Sequence, residues 1–375
     1  MTSHNEHDTG PLTLTLEQFV RALPKVELHC HLFGAVRRQT FSELSARAGH
    51  PVSPEEIEAF YTRGEKPVGV LRVLRALDAA LIRRPDDLYR ITYEYLEDAH
   101  AHGVAYSEFF WNPTGTVRVS GIPYADAQSA IVRAIVDAER EIGIIGRLIP
   151  SIDREASPEE AVTMVQWMLA ARAPQVVGIG MDYRENDRPP ELFEAAYRLA
   201  REAGLKTTAH AGEFGMPWHN VATAIDLLQV DRIDHGYTIV DNPALMQRCI
   251  ARGLVFTVVP TNSYYLRTLA PERWATDHPI RKMLAAGLRL HPNTDDPTLH
   301  LVTPTGAWLM MLQLGADVDD LKQFMRNGLD AAWMDDALRR QWRARWDDRF
   351  DQLRARLTTL PSGGNASRRL NVNRP

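Results

Sequence analysis

The sequence predicts an α/β fold, a (β/α)8 TIM barrel with extra helices after strand 1 and at the C-terminus. Two observations predict it. Eight short apolar runs alternate with segments of helical period along the 375 residues, the order that builds parallel βα units. The histidines and acids suited to chemistry fall at the C-terminal ends of those runs, where barrels of this class collect their active-site residues. Counting alone also fits an open, doubly wound sheet.

The runs lie near Val26–Leu32, Ala105–Trp111, Ile144–Ile152, Val176–Asp182, Lys206–Ala211, Arg232–His235, Leu254–Val259 and Leu288–Asn293. The first, in "KVELHCHL", precedes "RRQTFSELSARAG", where Thr40 and Glu43 have capping-box spacing, Phe41, Leu44 and Ala48 share a face and Gly49 can end the helix. "IIGRLIPSI" precedes a box from Ser157 to Glu160 and the helical "AVTMVQWMLAAR". "VVGIGMD" precedes "PPELFEAAYRLAREAG", with Leu192, Ala196, Leu199 and Ala203 in helical register and Gly204 as the stop. The gap between the first two runs leaves room for two or three extra helices, expected at the barrel mouth as a lid. The helical stretch from about Asp319 to Leu360 is expected to pack outside. Residues 1–11 and 361–375 are polar and read as mobile tails, leaving 12–360 as one domain.

A composition of 45% hydrophobic and 24% charged residues supports a large globular core. The net charge of −5 and pI near 6.2 supply no basic field, which argues against nucleic acid and for a small-molecule partner. The start "MTSHNEHDTGPLT" has no apolar signal core, and no stretch approaches the roughly 18 apolar residues of a membrane helix. Only Cys30 and Cys249 are present, so a disulfide framework and a four-cysteine metal site are excluded. A soluble, cytoplasmic protein is expected.

Residues i and i+2 of a strand face the same way, so His29 and His31 both point into the barrel and can bind one ion. A lone buried histidine is ordinarily a hydrogen-bonded core residue. With His210 and Asp295 at strand ends on the same face, a metal centre is the stronger reading. Three neutral imidazoles and one carboxylate suit Zn2+ with a position open for water, and Fe2+, Mn2+ or Co2+ also fit the ligand types. In "HAGEF", Glu213 stands three residues beyond His210 and can reach substrate without binding the metal, a placement for general acid/base work. By itself it would read as a helix-start glutamate stabilised by the dipole. His235 in "RIDHGY" fits either a fifth ligand or a group that orients and deprotonates a metal-bound water, and Asp234 either way can support it from behind.

Taken together and in order, "PKVELHCHLFGA", "HAGE", "RIDHG" and "NTDDP" resemble the adenosine deaminase family of the metal-dependent amidohydrolase superfamily. The similarity runs from about Leu23 to about Pro297, with a looser echo in the C-terminal helices. The resemblance implies a barrel with a single Zn2+, no bridging carboxylated lysine, and hydrolytic loss of ammonia from C6 of a purine. It implies His29, His31, His210 and Asp295 as metal ligands, Glu213 as proton donor to ring N1, His235 as the group that activates the hydroxide, and Asp296 as the partner of N7.

The departures from the family fall on substrate recognition. Phe33 stands where adenosine-specific members carry the aspartate that binds the ribose 5′-hydroxyl. In "GIGMDYREN", Tyr183 replaces a glycine whose backbone approaches the purine and Gly180 replaces an acid, while Phe110 stands where arginine is common. Phe33, Phe110, Trp111 and Tyr183 imply a more apolar, reshaped pocket, or for some of them simply core. The expected function is a zinc-dependent hydrolytic deaminase of an aminopurine nucleoside or related amino-heterocycle, with Asp296, Phe33 and Tyr183 contacting substrate and ribose recognition altered at Phe33. Adenosine itself, a 5′- or N6-modified nucleoside and a free base are the candidates. The alternative is another amidohydrolase acting on an amide or nitrogen heterocycle at the same mononuclear site. A cytidine-deaminase-type zinc site needs H-x-E and P-C-x-x-C, which two distant cysteines cannot provide.

Overall fold

A computed structural model describes residues 13–62, 69–261 and 273–358. The two tails expected at the chain ends lie outside them. Eight strands form one sheet in strict sequence order: β1 Lys25–Glu27, β2 Val104–Trp111, β3 Ile145–Asp153, β4 Gly178–Asp182, β5 Lys206–Ala211, β6 Arg232–His235, β7 Val255–Val258 and β8 Arg289–Pro292. Every neighbouring pair is parallel.

The ring closes just above β1 and β8. The His31 amide donates to the Asp295 carbonyl at 2.8 Å, the Asp295 amide donates to the His29 carbonyl at 2.9 Å, and the Leu28 amide donates to Asn293 Oδ1 at 2.8 Å. Closure in sequence order is the (β/α)8 barrel and discards the open sheet.

The first strand is shorter than the run Val26–Leu32. Its ladder to β2 is irregular between Lys25 and Val26 and resumes only as a single bridge from His31 to Phe110. From Leu28 onward the chain is stitched mainly to the loop after β8, so His29 and His31 sit beyond the regular strand. The other strands lie within two residues of their apolar runs at either end.

Helix ends show where local signals meet tertiary competition. Ser157 caps Pro158–Ala170 with the reciprocal bonds of a capping box, as its spacing predicts. Thr40 does not cap: the helix begins at Arg38, and Thr40 Oγ1 donates instead to Glu94 Oε2 at 2.6 Å. In the same helix Phe41 and Leu44 are buried but Ala48 is exposed, with Gly49 at φ +84° ending it. After β4, a 3-10 turn Pro190–Phe193 rotates the following helix Glu194–Glu202. The buried face is therefore Phe193, Ala196, Tyr197 and Ala200, and Leu192 is 38% exposed.

Among the described residues, three extra helices, Arg38–Arg47, Pro54–Phe60 and Val70–Ala76, separate β1 from the outer helix Pro85–His100. Arg38–Arg47 is fastened to that outer helix by Thr40 and, just before it, by Arg37 to Asp98. Val70–Ala76 reaches the barrel mouth, where Arg75 donates to Asp153 Oδ2 at 2.5 Å. At the C-terminus, Asp320–Ala331 packs on β8 and β1, and Asp336–Arg354 packs outside it, with Phe350 against Phe19. No helix of the described residues is long and apolar enough to cross a membrane.

Candidate metal centre and its surroundings

Strand ends bring His29, His31, His210 and Asp295 together, all buried, with one potential ligand atom from each within 4.8 Å of the others. His31 Nε2 lies 3.1 Å from His210 Nε2 and 3.2 Å from Asp295 Oδ1, and His29 Nε2 lies 3.4 Å from the same oxygen. Asp295 reaches this point because its backbone turns into the left-handed region, φ +66°. Such a conformation is strained for a side chain larger than glycine and recurs at functional sites.

The fit to a metal is decided by what stands behind the rings. His31 Nδ1 faces Asp182 Oδ2 at 3.2 Å and His210 Nδ1 faces Asp234 Oδ2 at 3.3 Å. His29 Nδ1 lies 3.2 Å from both the carbonyl and the hydroxyl oxygen of Thr257, which itself donates to Asp234 Oδ1 at 2.6 Å. Oxygens stand behind the outer nitrogens, so the three Nε2 atoms are the ones turned inward toward one carboxylate oxygen. His29 Nε2, fully buried, has no hydrogen-bond partner in the protein. His29, His31 and His210 with Asp295 form a donor set that could hold Zn2+.

Asp234 thus serves two of the rings rather than His235. Burial works to raise its carboxyl, but hydrogen bonding to His210 and the potential of His29, His210 and Arg232 hold it well below the usual carboxylate range. Asp182 has the corresponding place behind His31 and is held in turn by Asn112 Nδ2 at 2.6 Å from its Oδ1. The sequence reading missed Asp182 in this role, and its position at the end of β4, level with the other strand-end groups, was the available signal.

Beside the cluster, Glu213 Oε2 stands 3.5 Å from His235 Nε2. The Glu213 loop is clamped by Glu185, a second residue the motifs did not single out: its carboxylate accepts from the amides of Gly212 at 2.9 Å and Glu213 at 3.0 Å and from Asn220 at 2.8 Å. His235 Nδ1 is 3.1 Å from the Tyr237 hydroxyl, whose own proton goes to the Val259 carbonyl at 3.1 Å. The ring proton therefore sits on Nδ1 and Nε2 keeps its lone pair. Burial, and then the neighbouring His29 and His210, push the His235 imidazole well below its ordinary range, which keeps it neutral.

Asp296 is buried beside this group, 3.8 Å from His300 Nε2. Gly34 is packed so closely on it that a Cβ there would fall 1.8 Å from Asp296 Oδ1, so any side chain at 34 would have to displace Asp296. Phe33 begins the same short turn, Phe33–Ala35, which packs between Val70–Ala76 and Pro297–His300, and it is 5% exposed. Tyr183, buried, follows β4 at φ +64° with the Arg75 guanidinium 3.9 Å from its ring centre.

The other two aromatics do not line a substrate wall. Phe110 is fully buried with its ring centre 5.1 to 5.5 Å from those of His31, His210 and His29, so it is the floor beneath the metal ligands. Trp111, next along the strand, points the opposite way, stacks on Tyr124 at 5.6 Å and donates to Thr116. It is core.

Comparison with known proteins identifies the family and the fold. The family profile described as adenosine deaminase matches residues 24–348. An adenine deaminase of Vibrio parahaemolyticus is 32% identical over 333 residues, covering 88% of this chain and 96% of that protein. A crystal structure of an amidohydrolase from Burkholderia ambifaria with bound Zn is 65% identical, covers 92% of this chain and 96% of its own, and superposes with a TM-score of 0.89. The crystal structure of adenine deaminase from Arthrobacter aurescens is 29% identical, with a TM-score of 0.80 and coverage of 89% and 99%.

Proposed function

The chain belongs to the adenosine deaminase family, and from that premise we propose that it is a zinc-dependent deaminase that hydrolyses a free aminopurine base, adenine before others. The observation that carries the choice of substrate is Phe33. A buried phenyl ring stands where the family resemblance places a ribose-binding carboxylate, while the metal cluster, Glu213, His235 and Asp296 are all assembled. Leaving a ribose hydroxyl buried without a partner costs about 1–3 kcal/mol, which works against a nucleoside. Relatives about one-third identical are adenine deaminases, which supports the same reading.

His29, His31, His210 and Asp295 would hold the metal. When bound, zinc acts as a Lewis acid that lowers the pKa of water from about 15.7 to about 7. The chain's own residues supply the rest. His235 Nε2, unprotonated, takes a proton from the attacking water as its oxygen adds to C6. Glu213 gives a proton to N1, so that the ring nitrogen accepts the electron pair displaced from C6. Asp296 binds the N7 edge and fixes the face presented. Collapse of the tetrahedral carbon expels the amino group as ammonia with the proton that His235 took from water, the C6 hydroxyl returns its proton to Glu213, and the product carries a carbonyl at C6 and a proton on N1. Both cysteines are buried and free, which suits a reducing cytoplasm.

The test is ammonia release by zinc-loaded protein from adenine, adenosine, 5′-deoxyadenosine, 5′-methylthioadenosine and N6-substituted purines. Adenine is expected to have the highest kcat/KM. Adenosine ahead of it by about tenfold or more, a difference of about 1.4 kcal/mol, would overturn the reading.

A further inference from the structure

Above β3 and β4, away from Glu213 and His235, a cluster joins the extra helices to the barrel mouth. Arg75 lies over the Tyr183 ring at 3.9 Å and binds Asp153 Oδ2 at 2.5 Å and Glu155 Oε2 at 3.0 Å. Three residues on, in the π-helical turn Leu77–Leu81, Asp78 is 2% exposed and its Oδ1 accepts from Thr116 at 3.0 Å. Two buried oxygens of this cluster, the Tyr183 hydroxyl and Asp78 Oδ2, have no hydrogen-bond partner in the protein. Asp78 packs directly on Gly115, where a Cβ would fall 2.2 Å from Oδ2. Burial and the nearby Asp78 carboxylate raise the Tyr183 phenol well above its ordinary range, so it remains a donor.

An orphaned buried hydroxyl and an orphaned buried carboxyl oxygen are each destabilising unless a ligand satisfies them. Tyr183 is one residue beyond Asp182, which backs the ligand His31. The helix bearing Arg75 also packs on the Phe33 turn, whose other side meets Pro297–His300, the helix that Asp296 precedes. This wall therefore adjoins the Phe33 turn and, through Asp182, the back of His31.

We propose that Tyr183 and Asp78, held in place by Arg75, are specificity-determining residues that bind the edge of the heterocycle remote from its amino carbon. The Tyr183 hydroxyl matches a ring-nitrogen acceptor, and the Asp78 carboxyl, which burial raises to about 7, matches in its ionised form the adjacent ring N–H of an N-unsubstituted purine. A ribose or methyl group on that nitrogen removes the N–H and leaves Asp78 unpaired. Arg75 acts through the other two as a positioning residue, since its guanidinium covers the Tyr183 ring and ties it to Asp153.

The inference rests on the deaminase reading above, and one set of measurements separates the two. kcat and KM are determined for adenine, 9-methyladenine and adenosine with the zinc-loaded wild type, Tyr183→Phe, Asp78→Ala and Arg75→Met, with melting temperatures alongside. The wild type is expected to prefer adenine over 9-methyladenine by about 100-fold, in the range set by a site with unpaired polar groups. Tyr183→Phe, which deletes only an unpartnered hydroxyl and leaves the fold intact, raises KM for adenine roughly three- to tenfold with kcat little changed. Asp78→Ala and Arg75→Met narrow the adenine to 9-methyladenine ratio, a readout that a purely structural role would not move. Equal use of both purines by the wild type, or a ratio unmoved in Tyr183→Phe and Asp78→Ala, overturns the inference and leaves the deaminase reading standing. No ammonia from adenine overturns both.

Discussion

His210 Nδ1 faces Asp234 Oδ2 at 3.3 Å, and the other oxygen of that carboxylate accepts from Thr257, which touches the back of His29. One buried acid therefore sets the tautomer of two metal-facing rings. Asp234→Asn keeps the size but puts an N–H donor where an acceptor is needed. Metal affinity is expected to fall about 10- to 100-fold, as measured by competition with a chelator of known strength. Unchanged affinity would mean that the rings are oriented without Asp234.

Protein purified without chelator is expected to carry one divalent metal per chain, zinc above all, because one complete four-residue cluster is present among the described residues. His210→Ala should lose metal and activity together. Elemental analysis checks the first, and two metals per chain would contradict the single-site reading.

Glu213→Gln separates proton donation from metal binding. Its carboxylate stands 3.5 Å from His235 Nε2 and outside the four-residue cluster, so metal content should be retained. Turnover should fall about 10²-fold or more, the worth of a positioned acid. Near-normal turnover would assign the proton to another group.

Phe33→Asp restores a carboxylate on the turn between Val70–Ala76 and Pro297–His300. The ratio of adenosine to adenine kcat/KM is expected to rise roughly 5- to 150-fold, the value of pairing one buried hydroxyl. A ratio that does not rise would place ribose discrimination elsewhere in the wall.

Gly34→Ala tests the close approach to Asp296. The new Cβ would fall 1.8 Å from Asp296 Oδ1 and must displace it. The variant is expected to keep its metal but to raise KM for the purine at least tenfold, about 1.4 kcal/mol. A KM equal to that of the wild type would show that Asp296 does not bind substrate.

The sequence by itself determined the barrel and the outline of its centre. Eight apolar runs in βα order are a local signal, and the period of two that aims His29 and His31 together depends only on neighbouring residues. His210 and Asp295 were legible because strand ends in such a barrel converge. Only the tertiary structure decided the rest. Asp182 behind His31, Glu185 beneath Glu213 and Arg75 on Tyr183 join elements distant in the chain, and no local pattern encodes such pairs. The cap expected of Thr40 and Glu43 is absent for the same reason: Thr40 lies inside the helix Arg38–Arg47 and its hydroxyl donates to Glu94 on another helix. Left-handed turns at Tyr183, His235 and Asp295 are likewise a product of the whole, since local preference disfavours φ above zero at these residues and only surrounding contacts hold them there.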